Sequence, residues 1–305
     1  MVLLRLVLTA VALIAIASSY PKAAPDYSDW TAPVNIGAPV NSPFTDAGAA
    51  ISKDRLSLYF HSERPGGLGS TDLWVSQRDS DDQPWGPPVP LGGVVNTPFA
   101  EAVPALSRDE HWLFFGSDRP GGLGSNDIWV SYREHVHDPL DWQPAVNLGA
   151  GVNSAATDAA PTYFENDEGG AAQLFFHSVR VGGVGATDIY VSERFPNGTF
   201  APPHLVAELS SPALEQHASI RFDGLEIFFF SDRPGGVGGF DLWSATRATV
   251  LDQWSTPTNL GSIVNTAFGE TQPYIASDRR TLFFTSGRPG GLGGQDIWMT
   301  TRGKR

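Results

Sequence analysis

The chain has 305 residues, 41% of them hydrophobic, with a formal net charge of −13 and no cysteine. That hydrophobic content excludes a disordered chain, and the acidic balance argues against a nucleic-acid partner and against docking on an anionic membrane. The missing thiol excludes disulfides, thiolate chemistry and a lipid anchor on cysteine.

The N-terminus reads as an export signal over residues 1–17. Arg5 supplies the positive region, Leu6 to Ala17 is an apolar run too short for a comfortable membrane span, and Ala15-Ile16-Ala17 is a small-x-small cleavage site. An uncleaved anchor is the alternative. The expected localisation is exported, periplasmic or extracellular, with no transmembrane segment in the mature protein. Residues 18–29, rich in Pro, Ala, Ser and Asp, read as a flexible leader, and 30–305 as a single domain.

A unit then recurs five times. It runs from a Trp through a Pro-Val-Asn-Leu-Gly-like strand and an Asn-Ser/Thr turn to an acid. Two apolar strands, an Arg-Pro-Gly-Gly loop and a strand ending in Arg follow. The second copy shows it in full: Trp85, Leu91-Gly92, Asn96, Glu101, Leu113 to Phe115, Arg119, Asp127, Trp129 and Arg133. The fourth diverges most, with Phe200 for Trp and Ser210 for Asn. A period of roughly fifty to sixty residues belongs to propellers and solenoids, and four short strands per repeat is the composition of a propeller blade. The middle strand is apolar on consecutive positions, as in Leu113-Phe114-Phe115, which predicts burial on both faces.

The last unit lacks its outer strand, and the chain begins with a spare one at Pro33 to Gly37. Pairing the two closes the ring and removes a raw sheet edge. The prediction is an all-β, five-bladed β-propeller of four-stranded blades. The blades run Asp46 to Gly93, Glu101 to Gly149, Asp158 to Glu208, Glu215 to Ser262, and Glu270 to Arg302 completed by Ala32 to Ala38.

The units resemble the WD40-like β-propeller repeat of the TolB family. The residues that carry the resemblance are the acid with a Pro shortly after it, Ser-x-Asp-x-x-x-Leu-Phe-Phe, Ser-Asp-Arg, and Asp-Ile-Trp/Tyr, from Trp30 to Arg302. The resemblance implies the fold and an envelope binding role. TolB's extra N-terminal domain and the peptidoglycan-binding domain of related envelope proteins are both missing here.

By blade topology, the acids Asp46, Glu101, Asp158, Glu215 and Glu270 sit near the central mouth. The loop arginines Arg64, Arg119, Arg180, Arg233 and Arg288 lie on the same face, farther out. Two arrangements compete. In one, each acid pairs with a loop Arg or caps backbone N–H groups. In the other, the acids form a site for a cation, Ca²⁺ being the ion such oxygens suit, or for a cationic ligand. The Gly-Gly-x-Gly loops join strands and open no helix, so they meet neither phosphate-loop context. The aspartates Asp72, Asp127, Asp188, Asp241 and Asp296 are expected to hold those loops through backbone hydrogen bonds.

Departures from the repeat carry the functional expectation. Two residues after the acid stand Gly48, Val103, Ala160, His217 and Gln272; at the end of the second strand stand His61, Gly116, His177, Phe230 and Thr285. His61, His177, His217 and Gln272 therefore break the symmetry at one end of the ring. They are either isolated polar residues or acid–base or metal-binding groups beside the carboxylates. The spacing matches no compact metal motif, and no Gly-x-Ser-x-Gly elbow is present. Five-bladed propellers include glycoside hydrolases with three inward acids, but the repeat does not resemble those families. The main expectation is an exported binding or scaffold module for an envelope protein or a glycan. The alternative is a hydrolase or lyase on a carbohydrate or small molecule, with His61, His177, His217 and Glu270 as candidate catalytic groups.

Overall fold

The computed structural model describes residues 27–166 and 170–305, so the expected signal segment and most of the leader lie outside the described residues. A short strand, β1 (Val34–Asn35), comes first. Blade 1 is β2 (Asp46–Ile51), β3 (Ser57–Ser62), β4 (Asp72–Gln77) and β5 (Val89–Pro90). Blade 2 is β6 (Glu101–Leu106), β7 (Trp112–Ser117), β8 (Asp127–Tyr132) and β9 (Val146–Asn147). Blade 3 is β10 (Asp158–Phe164), β11 (Ala172–Ser178), β12 (Asp188–Arg194) and β13 (His204–Leu205). Blade 4 is β14 (Glu215–Ile220), β15 (Glu226–Ser231), β16 (Asp241–Thr246) and β17 (Thr258–Asn259). Blade 5 takes β18 (Glu270–Ile275), β19 (Thr281–Ser286) and β20 (Asp296–Thr301), and β1 is its outer strand.

The closure the sequence predicts pairs Val34 with Met299 and Asn35 with Trp298, antiparallel. Tyr27 bridges Lys304, and its ring lies 4.0 Å from the Arg302 guanidinium, so the chain is tied to the ring before the leader's expected end at Asp29. No helix among the described residues is long and apolar enough to cross a membrane.

The consecutive apolar residues of each second strand serve two cores at once. Leu113 and Phe115 join Tyr59, Leu73 and Val75 of blade 1, while Phe114 turns the other way to Leu174, Phe176 and Tyr190 of blade 3. Five such cores separate the five blades. Burial of each aromatic removes well over 100 Å² of apolar surface from water, so these interfaces dominate the ring's stability.

Asparagine ties each blade to the next. Asn96 accepts the Leu73 N–H at 2.9 Å and donates to the Leu73 carbonyl at 3.0 Å, and Asn41, Asn153 and Asn265 do the same for Ile297, Ile128 and Leu242. In the divergent unit Ser210 is too short for this and bonds within its own loop, to the Val206 carbonyl.

The three glycines of each Gly-Gly-x-Gly loop answer three different constraints. The first has φ near +100° (Gly121, +98°), a region closed to most L-residues. A Cβ on the second would meet the loop-holding aspartate, as Gly122 would meet Asp127 at 2.3 Å. A Cβ on the third would strike a backbone carbonyl on the way into the next blade, as Gly124 would strike that of Ala156 at 1.8 Å. The aspartates hold the loops as expected: Asp72 accepts the N–H groups of Leu68 and Gly69 at 3.0 and 3.1 Å.

Gly124→Ala is expected to cost about 1–3 kcal/mol in urea denaturation, because a backbone carbonyl cannot step aside as a flexible side chain would. Gly239, with open space around its Cβ position, provides the control, and Gly239→Ala should stay within about 0.5 kcal/mol of wild type.

Candidate functional site

The innermost strands β2, β6, β10, β14 and β18 each begin with the acid, and all five acids are fully buried. Each carboxylate meets the arginine of its own blade: Arg119, Arg233 and Arg288 lie 2.9–3.0 Å from Glu101, Glu215 and Glu270, and Arg64 and Arg180 contact Asp46 and Asp158. The other lone pairs are used as well. Glu270 accepts the Thr266 N–H at 2.7 Å, the Thr266 hydroxyl at 2.6 Å and the Ser286 hydroxyl at 2.9 Å. The guanidinium lies against the aromatic rings of the second and third strands, as Arg119 does between Phe115 at 5.1 Å and Trp129 at 5.0 Å. Its Nη2 also donates to a carbonyl of the inter-blade connection, Val95 for Arg119 at 2.6 Å.

The structure therefore has the first of the two arrangements weighed from sequence. The arginines lie on the acids, not farther out, and acid and arginine together clamp the blade. Glu270, a candidate catalytic group, is spent in this way. Among the described residues no three His, Asp or Glu side chains are grouped so as to hold a metal ion. Burial raises the Glu101 carboxyl and lowers the Arg119 guanidinium, which shows how far the pair is removed from water. Arg119→Ala strands a buried carboxylate and is expected to cost about 3–5 kcal/mol, read as a shifted urea midpoint.

The symmetry-breaking residues lie on the innermost strands, His217 and Gln272, and at the ends of the second strands, His61 and His177. Each inner strand carries a β-bulge directly after its second residue, and the residue there has a left-handed φ: Gly48 +62°, Val103 +53°, Ala160 +51°, His217 +46° and Gln272 +51°. A left-handed conformation is a true outlier for a β-branched valine, and its recurrence in every blade shows the ring imposing it. The bulge turns these side chains towards the mouth, beside the ends of the second strands.

His61 Nδ1 accepts the Val103 N–H of the next blade at 3.2 Å, which leaves the ring proton on Nε2. Gly48 makes room for it, since a Cβ there would lie 2.6 Å from His61 Nδ1. Gln272 accepts the Thr285 hydroxyl at 3.1 Å, and that hydroxyl accepts the Gly48 N–H at 3.1 Å, so blades 5 and 1 are bonded across the mouth. His217 and His177 differ: their Nδ1 atoms are buried with no protein hydrogen-bond partner. Burial pushes His61 and His177 down to about 4, with Asp46 and Asp158 pulling the other way. Burial, then His177 and His61, pushes His217 down to about 3.

All three imidazoles are neutral at pH 7 and unable to act as acids; His177 and His217 can accept a proton or a hydrogen bond, whereas the His61 lone pair is taken by the Val103 N–H. Their folded values lie below the ordinary 6.5, so on acidification the unfolded chain takes up these protons first. Their contribution is complete above about pH 6.5 and is lost as pH falls towards 4. His217→Gln should therefore flatten the decline of the melting temperature between about pH 6.5 and 4 relative to wild type.

Around this mouth the outer loops are also asymmetric. Two residues before the acid, blades 5, 1 and 2 carry Phe268, Phe44 and Phe99, exposed by 46, 42 and 41%. Blades 3 and 4 carry Ala156 and Ala213 at that position, on the side of His177 and His217. An aromatic arc thus stands over three adjacent blades and small residues over the other two. The sequence reading passed over this set, although the Phe/Ala alternation is visible at a fixed distance from the acid. It also passed over Thr285 as a partner for Gln272.

No family model matches the chain, and no curated protein matches it in sequence. Solved structures do match, over most of its length. The catalytic domain of the GH62 alpha-L-arabinofuranosidase of Coprinopsis cinerea is 10% identical, with a TM-score of 0.57 over 92% of this chain and 98% of that one. A thermostable family-43 glycoside hydrolase is 12% identical, with a TM-score of 0.57 over 88% of this chain and 91% of that one. The GH43_1 enzyme from Xanthomonas citri complexed with xylotriose is 15% identical, with a TM-score of 0.57 over 88% and 89%. At these identities the likeness shows a shared five-bladed fold. It also corrects the main functional expectation: the rings this chain superposes on are carbohydrate hydrolases, which overturns the envelope scaffold reading in favour of the alternative beside it.

Proposed function

We propose that the protein is a carbohydrate-cleaving enzyme, a hydrolase or lyase, whose working groups are His61, His177 and His217. The observation that carries this reading is the set of histidines at the end of the ring where it loses its symmetry: His61 and His217 buried, His177 half-buried, all three neutral at pH 7 and two of them with an uncommitted nitrogen. Structure imposed by the blade repeats in every blade, as the clamps do; these groups do not. Support comes from the similar rings, which include an arabinofuranosidase and an enzyme complexed with xylotriose. The solved structures similar to this chain support the five-bladed ring and not the TolB-type family expected from the repeat; the repeat accounts for the blades and leaves the chemistry to the residues that depart from it.

An imidazole with so low a pKa is a base throughout the neutral range. In a hydrolase it takes a proton from the water that attacks the anomeric carbon, while the bond to the leaving oxygen breaks and that oxygen is protonated from solvent. In a lyase it takes the proton from the carbon beside a uronate carboxylate, the freed electron pair forms a C=C bond to the next carbon, and the glycosidic oxygen leaves that carbon and is protonated from solvent. Phe268, Phe44 and Phe99 offer flat apolar faces on which the C–H face of a sugar ring can stack, and the smaller Ala156 and Ala213 stand on the side of His177 and His217. The N-terminal segment read as an export signal would deliver such an enzyme to the periplasm or the medium.

Purified protein is assayed on an arabinofuranoside, xylotriose and a uronic-acid polymer, following reducing ends and the ultraviolet absorbance of an unsaturated product. Turnover of one of these is expected, constant from about pH 5 to 8 because the bases are already neutral, and at least about 100-fold slower in His217→Ala. Reducing ends alone identify a hydrolase; unsaturation identifies a lyase. No turnover on any of the three, or full activity in His217→Ala, would sink the reading.

A further inference from the structure

Charge is divided unequally along the ring axis. Ten loops form the mouth end, five joining a second strand to a third and five leading into an innermost strand. They hold no lysine, and their only bases are the five clamp arginines, each already on its buried acid. Every other described lysine and arginine lies at the opposite end, in the hairpin turns between first and second strands or at and after the ends of the third strands.

The acids are not divided in the same way. Besides the clamp acids, the mouth end has the five loop-holding aspartates, whose partners are N–H groups rather than bases, as Leu123 and Gly124 are for Asp127. Glu63, Asp118 and Asp232 are exposed on the same loops, and Glu208 is half-buried. Asp118 and Asp232 accept the N–H groups of Ala100 and Leu214 at 2.9 and 2.8 Å. With each clamp neutral as a pair, fourteen acids and five bases leave this end a formal charge of −9. The described residues of the other end have sixteen acids and thirteen bases, a charge of −3.

A second feature of the mouth asks for the same kind of ligand. His217 is 2% exposed, on the bulge that turns towards the mouth, and its Nδ1 is buried with no protein partner. A neutral imidazole there accepts a hydrogen bond and so calls for a donor. Phe44, Phe99 and Phe268 add low-polarity surface, along which the field of the acids reaches farther than it would through water. A positive charge with N–H donors suits both the field and the free acceptor. A carboxylate suits neither.

We propose that the mouth selects its glycan by charge: a sugar bearing a free amino group is preferred to a neutral one, and a neutral one to a uronate. The inference rests on the carbohydrate reading of this site and names the substrate class within it. The neutral sugars of the assay above are then the weaker substrates. Of the two reactions written there it favours hydrolysis, since the elimination needs a uronate.

The β-1,4-linked tetramers of glucosamine, glucose and glucuronic acid are a cation, a neutral molecule and an anion on one backbone. At about pH 6 the sugar amines are protonated and the three histidines, at about 4 and about 3, are not. Calorimetry on the full chain in about 20 mM salt is expected to show the glucosamine tetramer binding at least about tenfold more tightly than the glucose tetramer, with the glucuronate weakest. In about 0.5 M salt the difference should shrink to about threefold or less.

Glu63→Gln, Asp118→Asn and Asp232→Asn together remove three charges and keep an oxygen for the Ala100 and Leu214 N–H groups, so the melting temperature should hold. This variant should weaken the glucosamine tetramer about fivefold and leave the glucose tetramer unaltered. Asp79→Asn, Asp82→Asn and Glu134→Gln make the same change of net charge on exposed residues of the opposite end and should alter neither. The proposal is overturned by equal affinity for the three tetramers, by tighter binding of the glucuronate, by an equal effect of the two triple variants, or by no binding at about 10 mM. The order is read without turnover, so the two readings fail separately. Binding in the expected order with no glycan cleaved sinks the enzyme and keeps the charge preference; cleavage with no preference for the amine does the reverse.

Discussion

The buried pair of acid and loop arginine is the constraint the rest of the molecule is arranged around. Removing a carboxylate and a guanidinium from water costs several kcal/mol each, and the cost is met only where every remaining lone pair and N–H finds a partner. The repeat can be read as that list of partners. Ser117 and Thr97 bond Glu101, Phe115 and Trp129 face the guanidinium, and the Val95 carbonyl takes its Nη2. The proline and glycines carry the chain round the arginine, and Asp127 holds that turn. Loss of the acid or of the arginine strands a charge, so these two recur in all five units, while the third unit tolerates Val181 for the proline and Tyr190 for the tryptophan with its clamp intact.

That division explains what was legible in the sequence. Blade boundaries, the double-sided second strands, the loop-holding aspartates and the ring closure all follow from residues that recur, and recurrence exposes them without coordinates. The acid's partner was legible only as one of two options, because His or Arg at a fixed spacing does not say whether a side chain folds back or reaches inwards; the Ser62 and Ser117 hydroxyls, which bond both acid and arginine, decide it. The placement of His61, His177 and His217 at one end of the ring could be expected from their positions in the unit. The hydrogen bond from Val103 to His61 could not, since it depends on a left-handed valine that no propensity favours.

The division of charge along the axis was hidden for a different reason. Many of the bases that set it belong to the hairpin turns, where blades differ in sequence and length, from Ser52-Lys53-Asp54-Arg55 to Ser107-Arg108-Asp109-Glu110. There is no repeat to measure a departure against until the turns are set side by side in space. The functional expectation failed at the same level: a repeat tells how a ring is assembled, and the scaffold reading took assembly for purpose.

The ring is also a statement about folding order. Each clamp joins residues close in sequence, 18 apart for Arg64 and Asp46, and each blade can close on itself early. The clasp spans the molecule: Asn41 reaches Ile297 across 256 positions, and β1 waits for β20. Local blades thus gather first and the long loop is closed last, so its entropic cost falls on one late event. Interactions formed after the transition state govern how fast a protein comes apart. The two-residue strand at Val34–Asn35, too short to matter as a sheet, then acts as the latch on the lifetime of the folded ring.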